Sequence, residues 1–181
     1  MTLREDAEQI IREAIAQAQP DMAVKRAMAD LPAANRIILV AVGKAAWQMA
    51  NAAWQMLGEK VARGIVITKY GHARGPIGHL RILEAGHPVP DENSFSATRA
   101  AMNMVRNLRP DDLVLFLLSG GGSALLESPL VPKEELANIT EQLLACGANI
   151  VEMNTIRKRL SAVKGGRFAE LCMPAGVFSV V

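Results

Sequence analysis

Lys44 stands directly after Gly43 in the run AVGKAAW, with no acidic residue beside it in sequence. It falls where an apolar stretch gives way to a helical pattern, and a cation at a helix start opposes the helix dipole unless an anion lies close by. A second group of residues, Ser119-Gly120-Gly121-Gly122-Ser123, interrupts the apolar run LVLFLL and is followed by Ala124-Leu125-Leu126. Each glycine loses more backbone entropy on folding than any other residue, so three in a row are costly unless the backbone must turn sharply and approach a ligand. The flanking serines add hydroxyls. An ammonium, bare backbone N–H groups and hydroxyls together suit an oxyanion, either phosphate or carboxylate. Without a ligand the same glycines would form a tight strand-to-helix turn.

The third group lies in NTIRKRLSAVKGGRF, Asn154 to Phe168, where Arg157, Lys158, Arg159, Lys164 and Arg167 occur with no acid before Glu170. Read as one helix from Thr155 to about Leu171 with Asn154 as its cap, the segment sets Ile156, Leu160 and Val163 inward and Arg157, Ser161 and Lys164 on an adjacent stripe. Gly165-Gly166 would cost such a helix about 1 kcal/mol each relative to alanine, which suggests a close approach there. A solvated basic face accounts for Arg159 and Arg167 but not for the paired glycines. His72, His79 and His87 fall in loops at spacings that match no zinc pattern, so hydrogen bonds that structure the loops are expected of them. His87, before Pro88, is the one placed to line a cleft, and Asp91 suits a helix cap. The candidate catalytic residue is therefore Lys44. The candidate substrate- and phosphate-binding residues are Ser119, Gly120, Gly121, Gly122, Ser123, His87, Asn154, Arg157 and Lys164, and no metal ligand is identified.

The elements that must position these residues alternate. Thr2 and Glu5 fit a capping box for a helix running to Pro20, and Asp21 can cap a second helix that Pro32 closes. Neither follows a strand, so both are expected across a sheet edge or against another domain. Ile37–Val42 reads as a buried strand, the Trp47–Leu57 region as a helix stopped by Gly58, and Gly64–Thr68 and Leu80–Ala85 as further strands. A helix from about Asn93 to Leu108 leads to the strand Leu113–Leu118. Pro132 opens a helix with Leu136, Ile139, Leu143 and Leu144 inward and Gly147 as its stop, and Val177–Val181 is a last strand, expected in the sheet interior. This alternation predicts an α/β fold, an open and mostly parallel sheet with helices on both faces, Rossmann-like. In such sheets ligands bind at the carboxyl ends of the strands, where Lys44 and the glycine loop fall.

Composition narrows the function. The 181 residues suffice for one domain with a core, and a hydrophobic share of 50%, a charged share of 21% and a net charge of +2 are ordinary for a globular protein. With only 4% aromatic residues the chain lacks base-stacking surfaces, and neither nucleic acid nor an anionic membrane is called for. Cys146 and Cys172 read as buried thiols in a reducing cytoplasm. The charged N-terminus is unlike a signal peptide, and no apolar run reaches spanning length. Two nucleotide fingerprints are missing. Leu125 stands where a dinucleotide motif wants glycine or alanine, and Lys44 lacks the upstream glycine and following Ser/Thr of a P-loop.

Four stretches nonetheless resemble one family in order along nearly the whole chain: VGKAA around Lys44, EAGHPVPDENS at 84–94, LLSGGGSALL at 117–126 and NTIRKRLSAVKGGRFAE at 154–170. They are similar to the glycerate 2-kinases that carry a MOFRL C-terminal domain, many of which have been labelled hydroxypyruvate reductase. The resemblance implies a two-domain enzyme with its active site in the cleft between domains. It also implies transfer of the ATP γ-phosphoryl, with Mg2+ or another divalent cation, to the 2-hydroxyl of glycerate. The family's catalytic lysine would fall on Lys44, and the Ser119–Ser123 loop would line the same cleft. Residues 1–181 would then be the N-terminal α/β domain, truncated at its C-terminal end, with the MOFRL domain, an acidic loop and a further arginine absent. The fragment alone is expected to be inactive, and a homodimer is possible. An NAD(P)H-dependent hydroxypyruvate reductase and a non-catalytic sugar-phosphate-binding module are the two alternatives.

Overall fold

Uncharged runs rich in valine, isoleucine and leucine gain most as strands covered on both faces, and here they become the centre of a sheet. The computed structural model describes residues 2–181. It begins with helices α1 (Leu3–Gln17) and α2 (Pro20–Ala27), then β1 (Arg36–Val42), α3 (Ala46–Leu57), β2 (Val61–Lys69), β3 (Arg81–Ala85) and α4 (Glu92–Val105). It continues through β4 (Asp112–Leu118), α5 (Gly122–Leu125), α6 (Lys133–Ala145), α7 (Ile150–Arg159), α8 (Arg167–Cys172) and β5 (Gly176–Val180). The strands form one parallel sheet in the order β3-β2-β1-β4-β5. The expected α/β architecture is therefore present. Among the described residues no helix is long and apolar enough to cross a membrane.

Alternate residues of β1 feed two cores. Ile38, Val40 and Val42 pack with Ala97, Ala101 and Val105 of α4 and Phe168 of α8. Ile37, Leu39 and Ala41 pack with Met49, Ala50 and Ala53 of α3 and Val24 of α2. Leu39 and Val40 are both fully buried although they face opposite ways, which is why Ile37–Val42 holds no polar residue. At its start β1 is tied to β4 through the register pair Arg36 and Asp112. The Arg36 guanidinium donates Nε–H to Asp112 Oδ1 at 2.7 Å and Nη2–H to Oδ2 at 2.6 Å. That fork, with the Arg109 N–H added, outweighs burial and holds the Asp112 carboxyl below the usual carboxylate range.

Several expectations are corrected by tertiary packing. The capping box of α1 forms as read, with Thr2 Oγ1 accepting the Glu5 N–H and Glu5 accepting the Thr2 N–H. Its apolar stripe, however, does not cross the sheet edge: Ile10, Ile11 and Ile15 stay exposed, and only α2 packs on α3. In α6, Leu136, Ile139 and Leu143 are half-buried and Leu144 is exposed, because α6 lies outside the layer that covers the sheet. Among the described residues β5 stands at one edge of the sheet. Cys172 is buried but Cys146, on the outer end of α6, is exposed.

The largest departure concerns residues 155–171. The helix starts earlier, at Asn149, whose side chain accepts the N–H groups of Val151 and Glu152 in a capping box, so Asn154 lies within α7. It also ends early, at Arg159. Leu160–Lys164 leaves the helix to pair with the chain after α5: Leu130 N–H donates to Leu160 O at 2.9 Å and Ala162 N–H to Ser128 O at 2.8 Å. The Arg167 guanidinium donates to the carbonyls of Lys158 and Ser161, which closes the end of α7 as a basic residue can. A single helical stripe bearing Arg157, Ser161 and Lys164 does not exist.

Candidate active site

The order β3-β2-β1-β4-β5 makes the chain turn one way after β1 and the opposite way after β4. The loops leaving the carboxyl ends of these neighbours therefore diverge and leave a crevice, the place where open α/β sheets bind ligands. Val42 and Leu118 are in register, so Gly43-Lys44 and Ser119-Gly120 begin side by side. The two turns are bonded to each other. Ser119 N–H donates to Val42 O at 2.9 Å, Lys44 N–H to Gly120 O at 2.8 Å, and Ala45 N–H to Ser119 Oγ at 3.0 Å. From β2, the buried Thr68 hydroxyl donates to Gly43 O at 3.0 Å.

Gly43 has φ +125°, and a Cβ there would stand 2.2 Å from Ser119 Oγ and 2.5 Å from Ser119 O. Only glycine allows the two turns to approach this closely. Gly121, at φ +92°, is hemmed in from the other side: a Cβ would lie 2.9 Å from the His87 ring and 3.2 Å from Lys44 Cγ. The Lys44 stem thus runs beside Gly120 and Gly121, with His87 on the same glycine. The N–H groups of Gly120 and Gly121 have no protein acceptor among the described residues. The Lys44 side chain has no carboxylate partner there either, and its carbonyl oxygen lies 2.9 Å from His72 Nδ1, which donates to it. An ammonium, two N–H groups without a protein acceptor among the described residues and an imidazole converge at the crevice where open α/β sheets bind ligands.

The other residues singled out by sequence divide between two further spaces. Gly122, Ser123, Asn154 and Lys164 line a cavity of about 530 Å³ against Phe116 and Phe168. Lys44 opens instead into a space of about 350 Å³ shared with Trp47, His72 and Arg74. Arg157 lines a third, of about 670 Å³, between the Pro88–Phe95 segment and α6. Lys158, the neighbour of Arg157, is the α7 cation that reaches the Ser123 cavity. Ser119 has its hydroxyl committed to the Ala45 N–H, so it shapes the turn. α5 has only four residues, and its dipole adds little to any anion site.

A family model described as a domain of unknown function, DUF4147, matches residues 6–181. The chain belongs to that family. This DUF4147 chain is 53% identical to the D-glycerate 2-kinase of Thermotoga maritima over 99% of its own length and 43% of that protein. It is 42% identical to an Agrobacterium vitis protein that carries a provisional hydroxypyruvate reductase name, over 100% of this chain and 41% of that one. The crystal structure of glycerate kinase from Thermotoga maritima is similar with a TM-score of 0.93 at 52% identity, covering 98% of this chain and 43% of that one. The chain therefore spans less than half the length of these relatives, and the resemblance to glycerate 2-kinases read from its four motifs agrees with them.

In this DUF4147 chain Glu127 and Tyr70, which carry no signal in the sequence, fasten Lys164 and Asp91 beside the loops. Glu127 is 2% exposed and paired with Lys164, although nothing in SALLESPL marks it as buried. Burial pushes the Lys164 ammonium below the usual lysine value, Glu127 pulls it back, and the nearby charge of Arg157 lowers it further. Asp91 caps α4 as read, but it also accepts the Tyr70 hydroxyl at 2.6 Å and the Gly86 N–H at 3.1 Å. Burial raises the Asp91 carboxyl, and these bonds with those from Ser94 more than offset it, holding it at about 2. Three residues past His87 in the sequence, Pro90 leads into this cap, so the His87 loop is fastened at its far end.

Proposed function

We propose that this chain is the α/β domain of a glycerate 2-kinase, which transfers the γ-phosphoryl of ATP to the 2-hydroxyl of glycerate. The observation that carries the reading is the meeting of Lys44 with the free N–H groups of Gly120 and Gly121 at the divergence of β1 and β4. Phosphoryl transfer asks a protein mainly to position the groups and to neutralise charge on the equatorial oxygens. The Lys44 ammonium and the two N–H groups offer that to the transferred phosphoryl or to the glycerate carboxylate. His87, held against Gly121, borders the same spot. Gly122, Ser123 and Asn154 line the adjoining cavity and would contact the remainder of the bound substrates, with the Lys164 stem in its wall.

ATP ordinarily brings a divalent cation, which would offset phosphate charge. Among the described residues no group of three or more His, Cys, Asp or Glu side chains is placed to hold one. Asp91 and Glu127 are engaged by protein donors. The residues described do not fit a metal centre, and no step is assigned to the cation. The relatives' greater length supports a second domain that closes the cleft, and a cytoplasmic location fits small-molecule kinase chemistry.

The test is a paired assay on the full-length gene product: ADP release with glycerate and ATP, and oxidation of NADH or NADPH with hydroxypyruvate. The kinase reading expects turnover in the first only. Turnover confined to the second would replace it with a reductase, and phosphate binding with neither activity would replace it with a binding module.

A further inference from the structure

Four residues separate Gly122 from Glu127, and one helical turn, α5, connects Glu127 to the glycine loop. Leu126 N–H donates to Gly122 O at 2.8 Å, which closes the α5 turn. At the far end of that turn Lys164 makes two contacts. Its Nζ donates to Leu126 O at 3.1 Å and forms an ion pair with Glu127 Oε2. The other carboxylate oxygen accepts the Ser128 N–H at 2.9 Å. Glu127 N–H in turn donates to the Thr98 hydroxyl at 3.0 Å, and that hydroxyl donates to Ser94 O at 2.8 Å within α4. Glu127 therefore joins three pieces of chain: its carboxylate ties the end of α5 to the Lys164-Gly165-Gly166 turn, and its backbone N–H ties that end to α4.

Stability is a poor reason for this arrangement. The side chains of Glu127 and Lys164 are only 2% and 16% exposed. Removing two such charges from water costs about as much as their attraction returns, and apolar groups of the same size often serve stability as well or better. What apolar groups lack is direction. They would allow the α5 turn to slide, whereas the side-chain hydrogen bonds to Leu126 O and Ser128 N–H set its position along and about its axis. The loop needs such a setting, because the free N–H groups of Gly120 and Gly121 are useful only if both meet the same oxyanion.

We propose that Glu127 and Lys164 are positioning residues, whose buried pair holds the Gly120–Gly121 turn in the orientation that receives a phosphoryl or carboxylate oxygen. This rests on the anion-binding reading of the glycine loop. It removes Lys164 from the substrate-binding set and makes it act through Leu126 and Glu127. The Lys164 stem can still wall the Ser123 cavity while its ammonium is turned to the protein.

The test replaces the pair by Glu127→Met with Lys164→Met, in the full-length protein. Three quantities are read: melting temperature, the affinity for inorganic phosphate from the amide resonances of Gly120 and Gly121, and kcat and KM with glycerate and ATP. The expected result is a melting temperature at or above the parent's, with phosphate affinity and kcat each reduced at least about tenfold and KM for ATP much less affected. A folded double variant whose phosphate affinity and kcat stay within about twofold of the parent overturns the proposal, since a merely structural pair predicts that. Should the double variant fail to fold, Glu127→Gln, which keeps the size and an acceptor, is judged by the same readings. Failure of the parent to phosphorylate glycerate would remove the kinase reading and leave the phosphate titration to decide the pair. Absence of any phosphate response at Gly120 and Gly121 in the parent would overturn the proposal together with the loop reading.

Discussion

The Ala45 N–H donates to the Ser119 hydroxyl at 3.0 Å while the adjacent Lys44 N–H donates to Gly120 O at 2.8 Å, so the turns after β1 and β4 form one hydrogen-bonded unit. The Lys44 backbone cannot leave the glycine loop without breaking both bonds. Ser119→Ala removes one acceptor and should cost about 1 kcal/mol of stability. Denaturant titration beside turnover checks it: a larger loss in kcat than in stability is expected, because the released turn carries Lys44.

Gly43→Ala should be far more damaging than its one methyl suggests. The new Cβ would meet Ser119 Oγ and Ser119 O at 2.2 and 2.5 Å, on backbone already at φ +125°. Strain and overpacking together should cost more than about 2 kcal/mol. Chemical denaturation of the variant is the measurement, and a loss below about 0.5 kcal/mol would mean that the turns separate easily.

Lys44→Met keeps most of the stem that packs beside Gly120 and Gly121 and deletes the charge. Because the ammonium is exposed and pairs with no carboxylate among the described residues, the melting temperature should hardly move. Turnover of the full-length protein should fall at least about 10²-fold, the order expected when one charge-stabilising donor is lost. Near-normal turnover in the folded variant would remove Lys44 from the chemistry.

Asp91 makes stability depend on acid. Its folded pKa of about 2 lies below the unfolded value near 3.9, so the contribution is fully present above the unfolded pKa and is lost as pH falls through the folded one. The difference in melting temperature between the parent and Asp91→Asn should be greatest at about pH 5 and above and shrink towards pH 2. A difference that is constant across that range would show that the cap works without its charge.

The two thiols should separate by reactivity. Burial pushes the Cys172 thiol up to about 11, whereas Cys146 is exposed at the end of α6. A disulfide reagent at neutral pH should titrate one thiol rapidly in native protein and the second only after denaturation. Mass spectrometry should place the first adduct on Cys146.

Runs such as Ile37–Val42 and Leu113–Leu118 announced their strands because a charge-free stretch of that length must be covered on both faces, and that requirement is local. The capping pair Thr2 and Glu5 and the stops at Gly58 and Gly147 were legible for the same reason, since a helix end is satisfied within a few residues. Lys44 and the Ser119–Ser123 loop stood out by chemistry that their own turns could not explain. Nothing local says that β1 and β4 are neighbours, and that adjacency turns two separate signals into one crevice. Residues 155–171 misled for a related reason. Their apolar spacing suits a helix, but hydrogen bonds to Ser128 and Leu130, distant in sequence, outweigh that preference and bend the chain at Leu160. Glu127 was invisible for the most physical reason of all: a carboxylate is tolerable in a core only beside its counter-charge, and Lys164 reaches it only once the chain has folded.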